Sequence, residues 1–424
     1  MADLATVCLQ LNALTVYRAI LQDATLARFV CALDAAQSGA SDAFCQSYGA
    51  FYQCLCEETD GGLDFATHLE RLVRFDDNAF ARAAACGAQG GAYRALQSAA
   101  AFDLEALRAA SAVSAAELKA AAQAGESALP GKLVSRLPEF IRQSRFFDAP
   151  AEPILAELEA YHRANGYGAF ARFGAFRWEG APVGIQTPDP IRLSDLKSYE
   201  YERGLVAANT KDFVERRGGG NLLLYGDRGT GKSSTIKALA NEYRASGLRI
   251  IEVTKESIPS FPSIMERLRA VPLRFILFLD DLSFSSDDAA FSALKSVLEG
   301  GVVARPENCR IYATSNRRHL VKETFSERSV DVDDVHAGDT KQEKLSLYDR
   351  FDQTVNFFAP DQAQYLSIVR VLAAEKCPKA KADELERGAV QWAIRAGGRS
   401  PRAAKQYVEW AAAQLQKGAS VLEE

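Results

Sequence analysis

The sequence predicts an α/β core built around a phosphate-binding loop, with an all-α region before it and a helical appendage after it. Three observations carry this reading. Four short apolar runs, NLLLYG, LRIIEV, RFILFLDD and CRIYATS, alternate with helical stretches, which is the pattern of a parallel sheet with crossover helices. Directly after the first run, Gly226, four intervening residues and then Gly231, Lys232 and Ser233 complete a P-loop pattern. On both sides of this core the apolar residues recur at helical rather than strand spacing.

Taken in order, residues 1–180 read as the all-α region, of one or two subdomains. Apolar residues from Leu4 recur at Val7, Cys8, Leu11, Leu14, Tyr17 and Ile20, one face of an amphipathic helix. Residues 93–124 are rich in Ala and Leu, a strong helix-forming composition, and GESALPGK over 125–132 interrupts them with breakers. The stretch GAPVGIQTPDP, ending at Pro190, carries three prolines and two glycines and reads as a linker over 181–190. The core then spans 191–360. From Asp361 helical periodicity returns, with Leu366, Ile368, Val369, Val371 and Leu372 and later Val390, Trp392 and Ala393, so 361–424 reads as a small helical lid.

Composition bounds what such a chain does. With 424 residues, 48% of them hydrophobic and 25% charged, the chain is a soluble type of polypeptide with room for two or three cores. Residues 1–180 hold 21 acidic against 15 basic side chains and the remainder is near neutral, which argues against direct duplex binding while leaving a local basic patch open. The eight cysteines have no CxxC pair or ligand-spaced histidines, so buried reduced thiols are expected over metal or redox use. MADLATVCLQLNALTVYR lacks a basic leader and is interrupted by Gln10 and Asn12. It is expected to be neither a signal peptide nor a membrane span, which points to the cytoplasm.

The loop's chemistry follows from its residues, Gly226, Asp227, Arg228, Gly229, Thr230, Gly231, Lys232, Ser233 and Ser234. Glycines let successive backbone N–H groups turn toward phosphates, and the following helix adds its positive end. Lys232 is expected to meet the β and γ phosphates of ATP, and Ser233 to ligate Mg²⁺. RFILFLDD places Asp280 and Asp281 at the carboxyl edge of a strand, where open α/β sheets bind ligands. Asp280 is assigned to the metal and Asp281 to the attacking water as base. CRIYATSN ends a further strand in Thr314, Ser315 and Asn316, with Asn316 the candidate γ-phosphate sensor. Arg317, Arg318 and His319 follow, either as a solvated loop or as a phosphate or partner contact.

The order GDRGTGKSS, FILFLDDLSF, LEGG with ARPEN, IYATSNRRHL, EKLSLYDRF and GGRSPRAAKQYVEW resembles a bacterial family of predicted AAA+ ATPases of unknown function, from Ile191 to Trp410. The resemblance implies a three-layer core with a five-stranded parallel sheet, a helical lid, ATP and Mg²⁺ as ligands, and assembly into a homo-oligomeric ring or filament. It places Asn316 at the sensor 1 position and Arg402 at sensor 2. Arg350 resembles the arginine that one subunit supplies to its neighbour's ATP site. Ordinary alternatives stand beside these: an ion pair of Arg350 with Asp349 or Asp352, and a helix-start charge for Arg402 after Pro401. IRLSDLKSYEYERGLVAANT resembles the segment that packs on adenine, with Leu196 and Tyr199 as contacts or as plain helix packing.

Two departures qualify the resemblance. Asp281 stands where many AAA+ proteins have Glu, one methylene longer, so slow hydrolysis is expected. Glu323–Lys344 is a polar stretch that reads as a loop, and its Asp331, Asp333, Asp334, His336 and Asp339 read as a solvated acidic cluster or a metal site. Three functions follow as expectations: an ATPase motor or switch on a protein client reached through residues 1–180, a nucleotide-dependent binding module that hardly hydrolyses, and a DNA-associated loader or remodeller.

Overall fold

A computed structural model describes residues 3–57, 62–123, 129–284, 289–299, 306–316, 347–378 and 380–422. The chain divides into two compact units, Met1–Arg172 and Phe173–Glu424. The first is entirely helical among its described residues apart from an isolated bridge between Asp64 and Ile141. Its aromatic centre joins Phe29, Phe51, Phe65 and Phe140, and its helices start at side-chain caps from Asp23, Asp64, Asn78 and Ser114.

The apolar face running from Val7 to Ile20 is buried throughout, yet it is not one helix. The helix Leu4–Asn12 stops, and Arg18–Gln22 forms a separate 3₁₀ turn. Buried Asp103 accepts the N–H groups of Thr15 and Tyr17, each at 2.9 Å, and the Thr15 hydroxyl at 3.1 Å. Those donors serve a distant carboxylate instead of a helical ladder. In the breaker stretch 125–132, the described part enters a short helix, Leu129–Val134. The cysteine expectation holds for only part of the set. Cys8, Cys309 and Cys377 are buried, while Cys31, Cys56 and Cys86 are exposed.

Among its described residues the second unit carries a sheet of seven strands: β1 (Ala175–Trp178), β2 (Pro182–Gly184), β3 (Leu222–Gly226), β4 (Leu248–Glu252), β5 (Arg274–Leu279), β6 (Cys309–Ser315) and β7 (Gln353–Phe357). Their order is β2-β1-β4-β5-β6-β3-β7, and every pairing is parallel except β1 with β2. The five strands expected from the resemblance are therefore extended by a hairpin, formed by residues first read as helical region and linker. Its signal is short: Phe176 and Trp178 are buried and Arg177 is exposed, a period of two over four residues. Pro182 is tolerated because β2 is an edge strand.

β3 and β5 are apolar without alternation because helices cover both faces of the sheet, and Leu222, Leu223, Leu224 and Phe275 through Leu279 are all buried. Three helices, Gln362–Lys376, Ala382–Arg395 and Pro401–Gln416, make the lid around Tyr365, Val369, Ala404, Tyr407 and Val408. Asp361 caps the first with a reciprocal Gln364 bond, and Ser400 caps the third ahead of Pro401. Among the described residues no helix is long and apolar enough to cross a membrane.

Candidate functional site

Between β3 and the helix Lys232–Glu242 the chain turns through Gly226, with φ of +136°, and Gly231, with φ of +94°. A Cβ at position 226 would stand 2.1 Å from the Phe357 carbonyl oxygen on β7, so the close approach of these strands requires glycine there. Asp227 extends that tie: its N–H donates to Phe357 O at 2.9 Å, and its carboxylate accepts the Ala359 N–H at 2.6 Å just before the lid. Thr230 donates its hydroxyl to Asp227 O at 2.9 Å, closing the loop on itself. Lys232 is only 5% exposed, and its ammonium reaches Gly226 O at 2.9 Å, Asp227 O at 2.8 Å and the Asn316 side-chain oxygen at 3.0 Å.

The carboxyl ends of β5 and β6 meet this loop. Asp280 accepts the hydroxyls of Ser233 and Thr314, both at 2.6 Å, on one carboxylate oxygen. Asp281 follows with φ of +53°, a left-handed conformation that Asp adopts more readily than most side chains. Thr314 also accepts the Asp281 N–H at 2.9 Å, so one hydroxyl organises both acids. Asn316 donates its amide to Asp281 Oδ1 at 2.6 Å and thereby bridges Asp281 to Lys232. In the sequence Thr314 stands out only as part of a polar strand end. Its role depends on a partner 34 residues away, and the signal was the Thr directly preceding Ser315 and Asn316.

A cleft of about 860 Å³ opens beside the loop and is lined by Leu196, Tyr199, Gly229, Ser234, Ile368 and Arg402 among others. Ser198 and Tyr199 take successive left-handed φ values of +70° and +62°, turning the chain into the cleft wall. Tyr199 is also structural: its ring lies 5.4 Å from that of Phe357 and its hydroxyl donates to Phe358 O. Arg203, which carried no motif signal, organises the same turn by donating to the carbonyls of Leu193, Leu196 and Tyr199. The lid closes on the loop through the Arg402 N–H, 3.2 Å from Gly229 O. Exposed Arg228 lines a second hollow of about 440 Å³ with Arg399 and Arg402.

Residues 171–415 match a family model described as a protein of unknown function, DUF815. The chain belongs to this family. With the P-loop on β3, the acidic pair after β5 and the polar strand β6 between them, this DUF815 core is a mostly parallel P-loop α/β fold with a helical lid. Among solved structures, the chain is similar to the Thermotoga maritima RuvB Holliday junction branch migration motor, at 14% identity over 55% of this chain and 68% of that one, with a TM-score of 0.36. It is also similar to the FIGL-1 AAA domain in complex with ADP, at 17% identity over 54% of this chain and 75% of that one, with a TM-score of 0.34. A comparison with functionally curated proteins finds no match.

Burial pushes the Lys232 ammonium down to about 8, against the attraction of Asp227, Asp281 and Asp280, while Arg402 pushes it further down. The DUF815 loop thus holds a partly desolvated cation beside glycine turns, which suits a phosphate. Among the described residues no three His, Cys, Asp or Glu side chains stand together as a metal site. The Ser233 and Asp280 oxygens offer the partial set that Mg²⁺ takes when phosphate and water complete its shell.

Arg350 does not join this cluster. It lies just before β7 and pairs with Glu299 at 2.6 Å, a partner other than the Asp349 or Asp352 that sequence proximity suggested. Asp352 instead accepts the Asn221 N–H at 2.7 Å. Arg317, Arg318, His319 and the acidic cluster Asp331, Asp333, Asp334, His336 and Asp339 lie outside the described residues.

Proposed function

We propose that this protein binds Mg·ATP at the Gly226–Ser234 loop and hydrolyses it as an assembling switch whose client is read by the helical unit. The observation that carries this reading is the network in which Lys232 bonds Asn316, Asn316 bonds Asp281, and Thr314 joins Asp281 to the Asp280–Ser233 pair, so that the proposed phosphate cation, sensor, base and metal ligands lie in one connected cluster. Ser233 and Asp280 would hold Mg²⁺, which supplies charge neutralisation on the phosphates when bound. Lys232 would leave its two backbone carbonyls for the β and γ phosphate oxygens, and Asn316 would follow the γ phosphate. Asp281 would orient and deprotonate the attacking water. Leu196 and Tyr199 line the cleft proposed for the base, and Arg402 couples the lid to the loop.

Arg350 is proposed to act in a neighbouring subunit's site, in exchange for its pairing with Glu299. Turnover per chain is then expected to rise with protein concentration. Arg350→Ala should remain flat and at least about tenfold slower at the highest concentration, with nucleotide affinity kept. Turnover independent of both concentration and this substitution overturns the trans role. Glu299→Gln, which frees the guanidinium without removing it, should retain turnover and so separates catalysis from a structural ion pair.

A second reading, a binding module with slow hydrolysis, is favoured by Asp281 itself, whose short side chain is held by the Asn316 amide. Both readings share a pH signature. Below pH 8 Lys232 is already charged and this group leaves affinity unchanged. Above pH 8 binding must draw in a proton, so affinity should fall by up to about tenfold per pH unit. Calorimetric titration of Mg·ATP from pH 7 to 9.5, in buffers of different ionisation enthalpy, measures this uptake; no proton uptake at pH 9 contradicts it.

A further inference from the structure

At the opposite end of the parallel strands from the phosphate loop, a second cleft of about 760 Å³ is lined by four arginines, Arg216, Arg269, Arg274 and Arg310. β5 and β6 begin here and lead directly into Asp280 and Asn316, so the two sites are separated by roughly 20 Å of strand. Two of the guanidiniums are held in place. Arg274 donates to Glu307 O at 3.0 Å, and Arg310 donates to Gly219 O at 2.6 Å and to Cys309 O at 2.8 Å. Both also lie over the ring of buried Phe213, at 5.4 and 4.9 Å.

A plain structural reading accounts for part of the set. Arg269 sits in the last turn of Phe261–Arg269 and pairs with Glu266 at 3.2 Å, and Arg216 follows the end of Glu200–Val214; cations suit helix C-termini. A helix end does not account for Arg274 and Arg310, the first residue of β5 and the second of β6. Burial and the neighbouring Arg216 and Arg310 push the Arg274 guanidinium below its ordinary range, so an anion entering the cleft would relieve like-charge repulsion. Glu307 is the carboxylate on the cleft wall.

We propose that this cleft binds a phosphate-bearing polyanion, as a second site independent of the nucleotide loop. Planar guanidiniums match phosphate oxygens in a bidentate fashion, and pre-fixed donors lose little entropy on binding. Converging cations call for a ligand with two or more negative charges, which a phosphate carries and a lone carboxylate does not. The volume also admits more than one phosphate.

The test uses the full chain carrying Lys232→Ala, so that the nucleotide loop does not compete, titrated calorimetrically with tripolyphosphate at low salt. One site per chain is expected, weakened at least about tenfold by Arg216→Ala and by Arg274→Ala. Arg216 is exposed, so its truncation tests the cleft without disturbing the core. Both arginine substitutions, made in the otherwise unaltered chain, should leave Mg·ATP affinity unchanged, which verifies the fold. Absence of tripolyphosphate binding, or binding indifferent to both substitutions, overturns the proposal. So does binding of polyglutamate with none of tripolyphosphate. A single-stranded oligothymidylate that displaces tripolyphosphate identifies a nucleic-acid backbone as the source, and one that does not identifies a free phosphate compound; either outcome upholds the site.

Discussion

Lys232→Ala is expected to weaken Mg·ATP binding by at least about 100-fold, from the loss of two charge-assisted hydrogen bonds worth about 1.5–3 kcal/mol each. The substitution does more than remove attraction. Asp227, Asp280 and Asp281 surround the ammonium, and without it their charges would repel the incoming phosphates. Stability should not suffer in parallel, because Lys232 is a buried cation whose burial opposes its charge. Calorimetric titration together with thermal unfolding separates the two effects. An affinity within about threefold of the unaltered protein would remove the loop from the proposed mechanism.

The second large effect is expected at Asp281. Asp281→Asn keeps the side-chain shape, tolerates the left-handed φ of +53°, and leaves an oxygen for the Asn316 amide at its present 2.6 Å. Only charge and basicity disappear. Binding should therefore persist while kcat falls by about 10²–10⁴-fold, the range of a positioned general base. Single-turnover phosphate release with excess protein measures the chemical step apart from assembly. If Asp281→Asn releases phosphate at the unaltered rate, the base lies elsewhere. Asp281→Glu then probes the missing methylene: faster release supports slow hydrolysis as a consequence of reach.

The phosphate loop was legible because its requirements are local. Glycines at fixed offsets, a cation and a hydroxyl must follow one another where a buried strand becomes a helix, and a linear reading detects that order. Asp280, Asp281 and Asn316 were legible for a related reason, since an apolar run ending in polar residues marks the carboxyl edge of a covered sheet. The edge hairpin was not legible, because the four alternating residues of β1 sit at the end of the helical region and β2 lies within the Pro- and Gly-rich stretch that reads as a linker. Nor was the break after Asn12, since the face Val7–Ile20 keeps helical spacing while Asp103, about ninety residues on, takes the N–H groups that a helix would use.

The arginine cleft shows the same limit on the side of charge. A near-neutral second half conceals Arg216, Arg269, Arg274 and Arg310 because they come from two helix ends and two strand starts. Likewise Arg350 had two acids within two residues, and its ion pair went to Glu299 on a separate helix. Local order in the chain settled the glycine loop between β3 and its helix, the apolar strands and the helical flanks, since each is specified by periodicity or by contiguous residues. Folding settled which hydroxyl organises the two acids, how far the sheet extends, and where the arginines converge. Those outcomes depend on hydrogen bonds and charges between residues tens of positions apart, which no local pattern encodes.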